Sequence, residues 1–134
     1  MIRPTLLCVD SSLVTRQLYR HTLAMSGYDV VLAESGSKAL RLFHSRPIDA
    51  VILSYELAGM QGSEVAAAIK GVNPAVPIVM ISACASVVEE APRFVDAALV
   101  RESQPGRLLE KLERLLNRGV VKRMPLPREI TDAA

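Results

Sequence analysis

The sequence predicts an α/β domain built on a doubly wound parallel sheet of five strands, order 2-1-3-4-5, with helices on both faces. Three observations predict it. Short apolar runs alternate with helix-length segments of mixed character, the pattern of parallel strands joined by right-handed crossovers. The runs are apolar at consecutive positions rather than alternate ones, so both faces of the sheet are covered. They also end on polar residues, Asp10, Ser54 and Ser82, at the carboxyl edge where ligands bind in such sheets.

Thr5 to Val9 is the first run, and Ser11 or Ser12 caps a helix expected to turn Leu13, Leu18, Thr22 and Met25 toward the sheet. Gly27 stops that helix. Asp29 to Ala33 is the second strand, and Ser35-Gly36-Ser37 leads into a helix with Ala39, Leu40 and Phe43 inward. Pro47 closes the connection before Ala50 to Ser54, the central strand. Ser63 opens a third helix with Val65, Ala66 and Ile69 inward, which Gly71 and Pro74 terminate before the strand run Val76 to Ser82.

The next segment is irregular. Ser86-Val87-Val88-Glu89 has the form of a capping box, but Pro92 follows a turn later and forbids a regular helix interior. The fourth helix is therefore expected to be short or distorted. Ala97 to Val100 is the last strand, and Pro105 to Asn117 a final amphipathic helix with Leu108, Leu109, Leu112 and Leu116 inward, ended by Gly119. Residues 1–119 are read as one domain and 120–134, with Pro125 and Pro127, as a flexible extension.

Composition narrows the function. A chain of 134 residues that is 50% hydrophobic has room for one full core and no second domain. Net charge +2 arises from mixed signs, and 4% aromatic content leaves few stacking groups, so no nucleic-acid partner is expected. No apolar run approaches a membrane span, and no signal peptide is expected. The two cysteines, Cys8 and Cys84, have neither metal-ligand spacing nor a disulfide framework, which points to a reducing cytoplasm.

Ala50 to Ser54 followed by Gly59-Met60-Gln61-Gly62 resembles the receiver domain of bacterial response regulators, in which an apolar strand delivers an aspartate and Pro-Gly-Met-Asp-Gly follows. By this resemblance the fold is the flavodoxin-like, CheY-like one, and the function is two-component phosphorelay signalling. Ser54 stands where the family carries its phospho-acceptor aspartate. The acidic pair that holds Mg²⁺ in the family is Asp10-Ser11 here, Ser82 matches the hydroxyl that binds the phosphoryl group, and Arg101 stands where the family has lysine. Glu102 replaces the usual proline, and Ala98 the aromatic that reports phosphorylation. The interval from Ser82 to Arg101 is about three residues short, roughly the rise of one helical turn.

Chemistry agrees with a lost switch. Mg²⁺ needs hard oxygen ligands, usually with carboxylates among them, and Asp10 remains with Glu56 nearby, so neither Mg²⁺ nor another cofactor is expected. Ser54 lacks a general base, since His21 and His44 fall in helices away from the strand ends, and a Gly-x-Ser-x-Gly elbow is absent. An enzyme is not expected. Asp10 without a metal requires another cation, for which Arg101 is the candidate. The resemblance implies a degenerate receiver acting by protein contact, with a histidine kinase, another regulator or a second copy as partner. Its expected contact face is the segment around Val87, Val88 and Phe94. The alternatives are Ser54 phosphorylated by a Ser/Thr kinase and a small molecule in the vacated pocket.

Overall fold

The apolar runs form the strands β1 (Thr5–Val9), β2 (Asp29–Ala33), β3 (Ala50–Ser54), β4 (Ile78–Ser82) and β5 (Ala97–Val100) in a computed structural model that describes residues 3–101 and 105–123, with side chains described as far as residue 117. All four pairings are parallel and the order is β2-β1-β3-β4-β5. Between them run α1 (Leu13–Met25), α2 (Gly36–Ser45), α3 (Gly62–Val72) and α4 (Ala85–Glu90), and α5 (Pro105–Arg123) follows β5.

Successive strand residues point to opposite faces, and here each face has its own core. Leu7, Val9, Val51, Leu53, Ile78 and Met80 pack with Ala39 of α2 and Val65, Ala66 and Ile69 of α3. Leu6, Cys8, Ile52, Val79, Ile81 and Leu99 pack with Leu23 of α1 and Leu108, Leu112, Leu115 and Leu116 of α5. Continuous apolarity along the strands is the direct result: no strand position in the middle of the sheet meets water. The Cys8 thiol, fully buried in the second core, is pushed far above its ordinary pKa by that burial and is chemically inert.

The elements differ from expectation in phase and ends. On α1 the sheet-facing stripe is Thr15, Tyr19 and Leu23, an i, i+4, i+8 series, with Leu23 fully buried. Leu13, Leu18 and Met25, expected inward, are 60%, 61% and 76% exposed. β4 starts at Ile78 rather than Val76, since Pro77 has no N–H for the ladder; its carbonyl accepts from Val51 N at 2.9 Å. α3 starts at Gly62, with the Gln61 N–H donating to Glu64 Oε1 at 2.9 Å, and runs one residue past Gly71.

α4 is short, as Pro92 requires, and passes into a 3-10 turn over Ala91–Arg93. Its N-cap is Cys84 rather than Ser86, and Val88 N donates to Cys84 O at 3.2 Å. The capping box therefore does not mark the start. α5 continues through Gly119 to Arg123, because a glycine inside a helix costs only about 1 kcal/mol and its neighbours sustain the turns. The final helix thus runs past its expected end at Asn117; of the segment read as an extension, 120–123 are its last residues and 124–134 lie outside the described residues, as does Glu102.

Candidate functional site

The carboxyl ends of β1, β3, β4 and β5 converge because their registers are locked. Val9 pairs with Leu53, Ser54 with Ile81, and Ser82 with Val100. Asp10, Ser54, Ser82 and Arg101 therefore come to one edge. Among the described residues the first three are the buried polar ones, at 4%, 2% and 0% exposure. Two glycines shape the loop beyond Ser54. Gly59 has φ +85°, a left-handed conformation open to glycine. At Gly62 a Cβ would come within 2.5 Å of the Ser54 carbonyl, so only glycine lets α3 begin this close to the strand end.

Each buried side chain in this cluster has a partner of the right kind. Asp10 Oδ1 accepts from the Ser12 N–H at 2.9 Å, and Oδ2 accepts from Arg101 Nη1 at 3.1 Å. Arg101 Nη2 donates to Ser54 Oγ at 2.7 Å and reaches Glu56 Oε1 at 3.5 Å. Ser54 Oγ donates in turn to the Glu56 carbonyl at 3.2 Å. Ser82 Oγ donates to Glu56 Oε2 at 2.5 Å and accepts from the Cys84 N–H at 3.0 Å, while the Ala83 N–H donates to Glu56 Oε1 at 3.4 Å. Ser11 is exposed, and its Oγ accepts from the Ala58 N–H at 3.4 Å, outside the buried cluster.

The electrostatics follow from these contacts. Partial burial works against the Arg101 charge, but the hydrogen bond and charge of Asp10 outweigh it and raise the guanidinium above its ordinary value. Desolvation likewise disfavours the Glu56 carboxylate, yet bonds from Ser82, Ala83 and Arg101 hold its pKa below the usual glutamate value. The Tyr19 hydroxyl is pushed upward by burial and then by the charge of Asp10, so it stays neutral. Among the described residues, no group of three or more His, Cys, Asp or Glu is arranged to hold a metal ion.

All six residues singled out from the sequence lie at this edge, five in direct contact and Ser11 on its rim. Sequence reasoning missed three things: Arg16, which donates to the Asp10 carbonyl at 2.8 Å; Tyr19, which packs beside the pocket; and the inward turn of Glu56. The spacing of Thr15, Tyr19 and Leu23 carried the signal for Tyr19. Nothing in the sequence carries the direction of a glutamate in a loop.

The candidate contact residues are spread. Val87 and Val88 are half-buried, Phe94 is 37% exposed, and the neighbouring Ala91 and Val95 belong to the core. The Cys84 thiol is exposed, and the Ser86 hydroxyl, 3.0 Å away, lowers its pKa.

A protein-family model described as the response regulator receiver domain matches residues 6–113. The response regulator MprA of Mycolicibacterium vanbaalenii is 31% identical over 116 residues, which are 84% of this chain and 50% of that protein. A cyclic di-GMP phosphodiesterase of Thermotoga maritima is 35% identical over 79 residues, 59% of this chain and 21% of that one. The chain thus spans half or less of these curated relatives. Among solved structures, the response regulator TrrA of Thermotoga maritima in complex with Mg(2+)-BeF has TM-score 0.79 at 30% identity, covering 84% of this chain and 98% of that one. The signal receiver domain of an HD domain-containing protein from Pseudomonas fluorescens has TM-score 0.84 at 25% identity, covering 94% and 96%. Sheet order, strand-end site and sequence agree, and the chain belongs to the response regulator receiver domain family.

Proposed function

We propose that this receiver works through protein contact without aspartyl phosphorylation, its pocket held in one state by Arg101. The observation that carries the reading is the guanidinium lying between Asp10 Oδ2 at 3.1 Å and Ser54 Oγ at 2.7 Å, where a phosphorelay site needs a free carboxylate. Receiver domains are signalling modules that work with kinases or other regulators, and a signalling protein of that kind is the partner this reading implies. A histidine kinase, another regulator or a second copy of the chain would each serve, in the cytoplasm.

The same pocket does not suit a divalent cation. Asp10 already accepts from the Ser12 N–H and from Arg101, and Glu56 from Ser82, Ala83 and Arg101, so both carboxylates are spent on donors. A dication would also sit against the guanidinium, a like charge. The alternatives are less favoured. The Ser54 hydroxyl is 2% exposed and engaged by Arg101, which hides it from a kinase. A cavity of about 340 Å³ lies between α1 and α5, lined mostly by apolar side chains such as Leu18, Leu108 and Leu109; it reaches Arg101 but is not lined by Ser54, Asp10 or Ser82.

Incubation with acetyl phosphate and Mg²⁺ followed by intact-mass measurement tests the proposal. The mass should not change, and Ser54→Asp should not restore full phosphorylation, because Arg101 and Ser11 remain. A hydroxylamine-labile adduct on the natural chain overturns the reading.

A further inference from the structure

Close packing leaves few voids larger than a water molecule inside a folded domain. The seam between α1 and α5 nevertheless keeps a cavity of about 340 Å³, and Leu18 on its wall is 61% exposed, so the space opens to water. That volume is at the lower end of the range for small-molecule sites, which are mostly apolar with a few placed polar groups. The walls have this character. Leu18 and Leu23 of α1, Leu99 of β5 and Leu108 of α5 are joined by Thr15, Tyr19, Thr22 and Arg101.

Tyr19 sets the chemistry of what can enter. A tyrosine hydroxyl withdrawn from water ordinarily finds a hydrogen-bond partner. Tyr19 is half-buried, yet among the described residues its hydroxyl has no such partner. The charge of Asp10 outweighs that of Arg101 at this hydroxyl, which therefore keeps its proton and has a donor to offer. The same negative field disfavours an anion in the cavity. Arg101 already has acceptors of its own, Asp10 Oδ2 at 3.1 Å and Ser54 Oγ at 2.7 Å. What is left to match is an apolar space with one neutral donor on its wall.

We propose that the cavity between α1 and α5 is a binding site for a neutral, mostly apolar molecule of about ten non-hydrogen atoms, with one carbonyl oxygen that accepts from the Tyr19 hydroxyl. Burial of the apolar body drives binding, and the carbonyl fixes its orientation. The site is separate from the strand-end pocket, since Asp10, Ser54 and Ser82 do not line it. Arg101 belongs to both, so a molecule in the cavity lies against the side chain that holds Asp10 and Ser54. Occupancy of the cavity thereby reaches the pocket without any covalent step. The site does not rest on the absence of phosphorylation, and the acetyl phosphate result bears on the pocket alone.

The test titrates the full chain with acetophenone, with ethylbenzene as a match lacking the oxygen and benzoate as one carrying a charge, followed by NMR. Acetophenone should give saturable shifts at Tyr19, Leu108 and the Arg101 side chain, with a dissociation constant below about 1 mM. Benzoate should bind more weakly than acetophenone. In Tyr19→Phe, which keeps the ring and loses the hydroxyl, the ratio of acetophenone to ethylbenzene affinity should fall about three- to tenfold, the scale of one hydrogen bond. Leu18→Trp changes an exposed position, so the fold tolerates it, and should weaken both neutral probes by crowding the cavity. Absence of saturable shifts with acetophenone overturns the proposal. So does benzoate binding more tightly than acetophenone, an unchanged affinity ratio in Tyr19→Phe, or binding that Leu18→Trp leaves intact.

Discussion

Replacing Arg101 by methionine keeps the length of the side chain and removes the donors to Asp10 and Ser54. Asp10 is 4% exposed, so its carboxylate would lose a charged partner that water replaces only in part. The expected loss is about 1–3 kcal/mol, below the value for a fully buried pair because the Arg101 side chain is 32% exposed. Urea denaturation measures it, and an unchanged midpoint would mean that the ion pair contributes nothing to stability. Arg101→Lys should fall between, since one ammonium does not reproduce the planar two-nitrogen contact.

Glu56 gives the pocket a pH dependence whose sign is fixed. Its folded pKa is depressed, so its contribution is complete above the unfolded value of about 4.3 and is lost as pH falls through the lower folded value. Between pH 7 and pH 3 the natural chain should lose more stability than Glu56→Gln, whose amide does not titrate. Equal losses in denaturant titrations at the two pH values would place the carboxylate outside the network. The sequence was enough to name Asp10, Ser54, Ser82 and Arg101, because each ends a strand or directly follows one and the resemblance assigns that position. It was not enough to show how Glu56 is used, which depends on two loops whose backbones the sequence does not dictate.

At the scale of elements, α1 shows what periodicity does and does not carry. Its length and its Ser12 cap, with Thr15 N donating to Ser12 Oγ at 3.3 Å, follow from local sequence. Its rotation does not, because leucines occur on both sides of the helix and two different stripes satisfy the same period. Leu23 faces the core and Leu18 faces out, so Leu23→Ala should cost about 2–5 kcal/mol and Leu18→Ala no more than about 0.5 kcal/mol. Thermal or urea denaturation of the two variants decides between the stripes, and equal losses would restore the rotation expected from sequence. α4 is the opposite case. Pro92 makes its shortness legible, whereas its cap is Cys84, two residues before the Ser86–Glu89 motif.

At the scale of the molecule, sheet order and helix layering were legible because they rest on many residues at once. Continuous apolar strands demand cover on both faces, and alternation of strand and helix leaves few ways to provide it. The end of α5 was not legible, since Gly119 permits a helix as readily as it stops one. One contact described above also orders events in time. Asp10 and Arg101 are 91 residues apart, and their bond cannot form until β5 has joined β4. A growing chain leaves the ribosome with Asp10 first and waits for nearly the whole domain before the partner emerges. Closing so long a loop is slow unless the intervening sheet has already assembled. The pocket therefore cannot close before β5 has joined the sheet, and its closure marks a chain whose synthesis and folding have both passed the fifth strand.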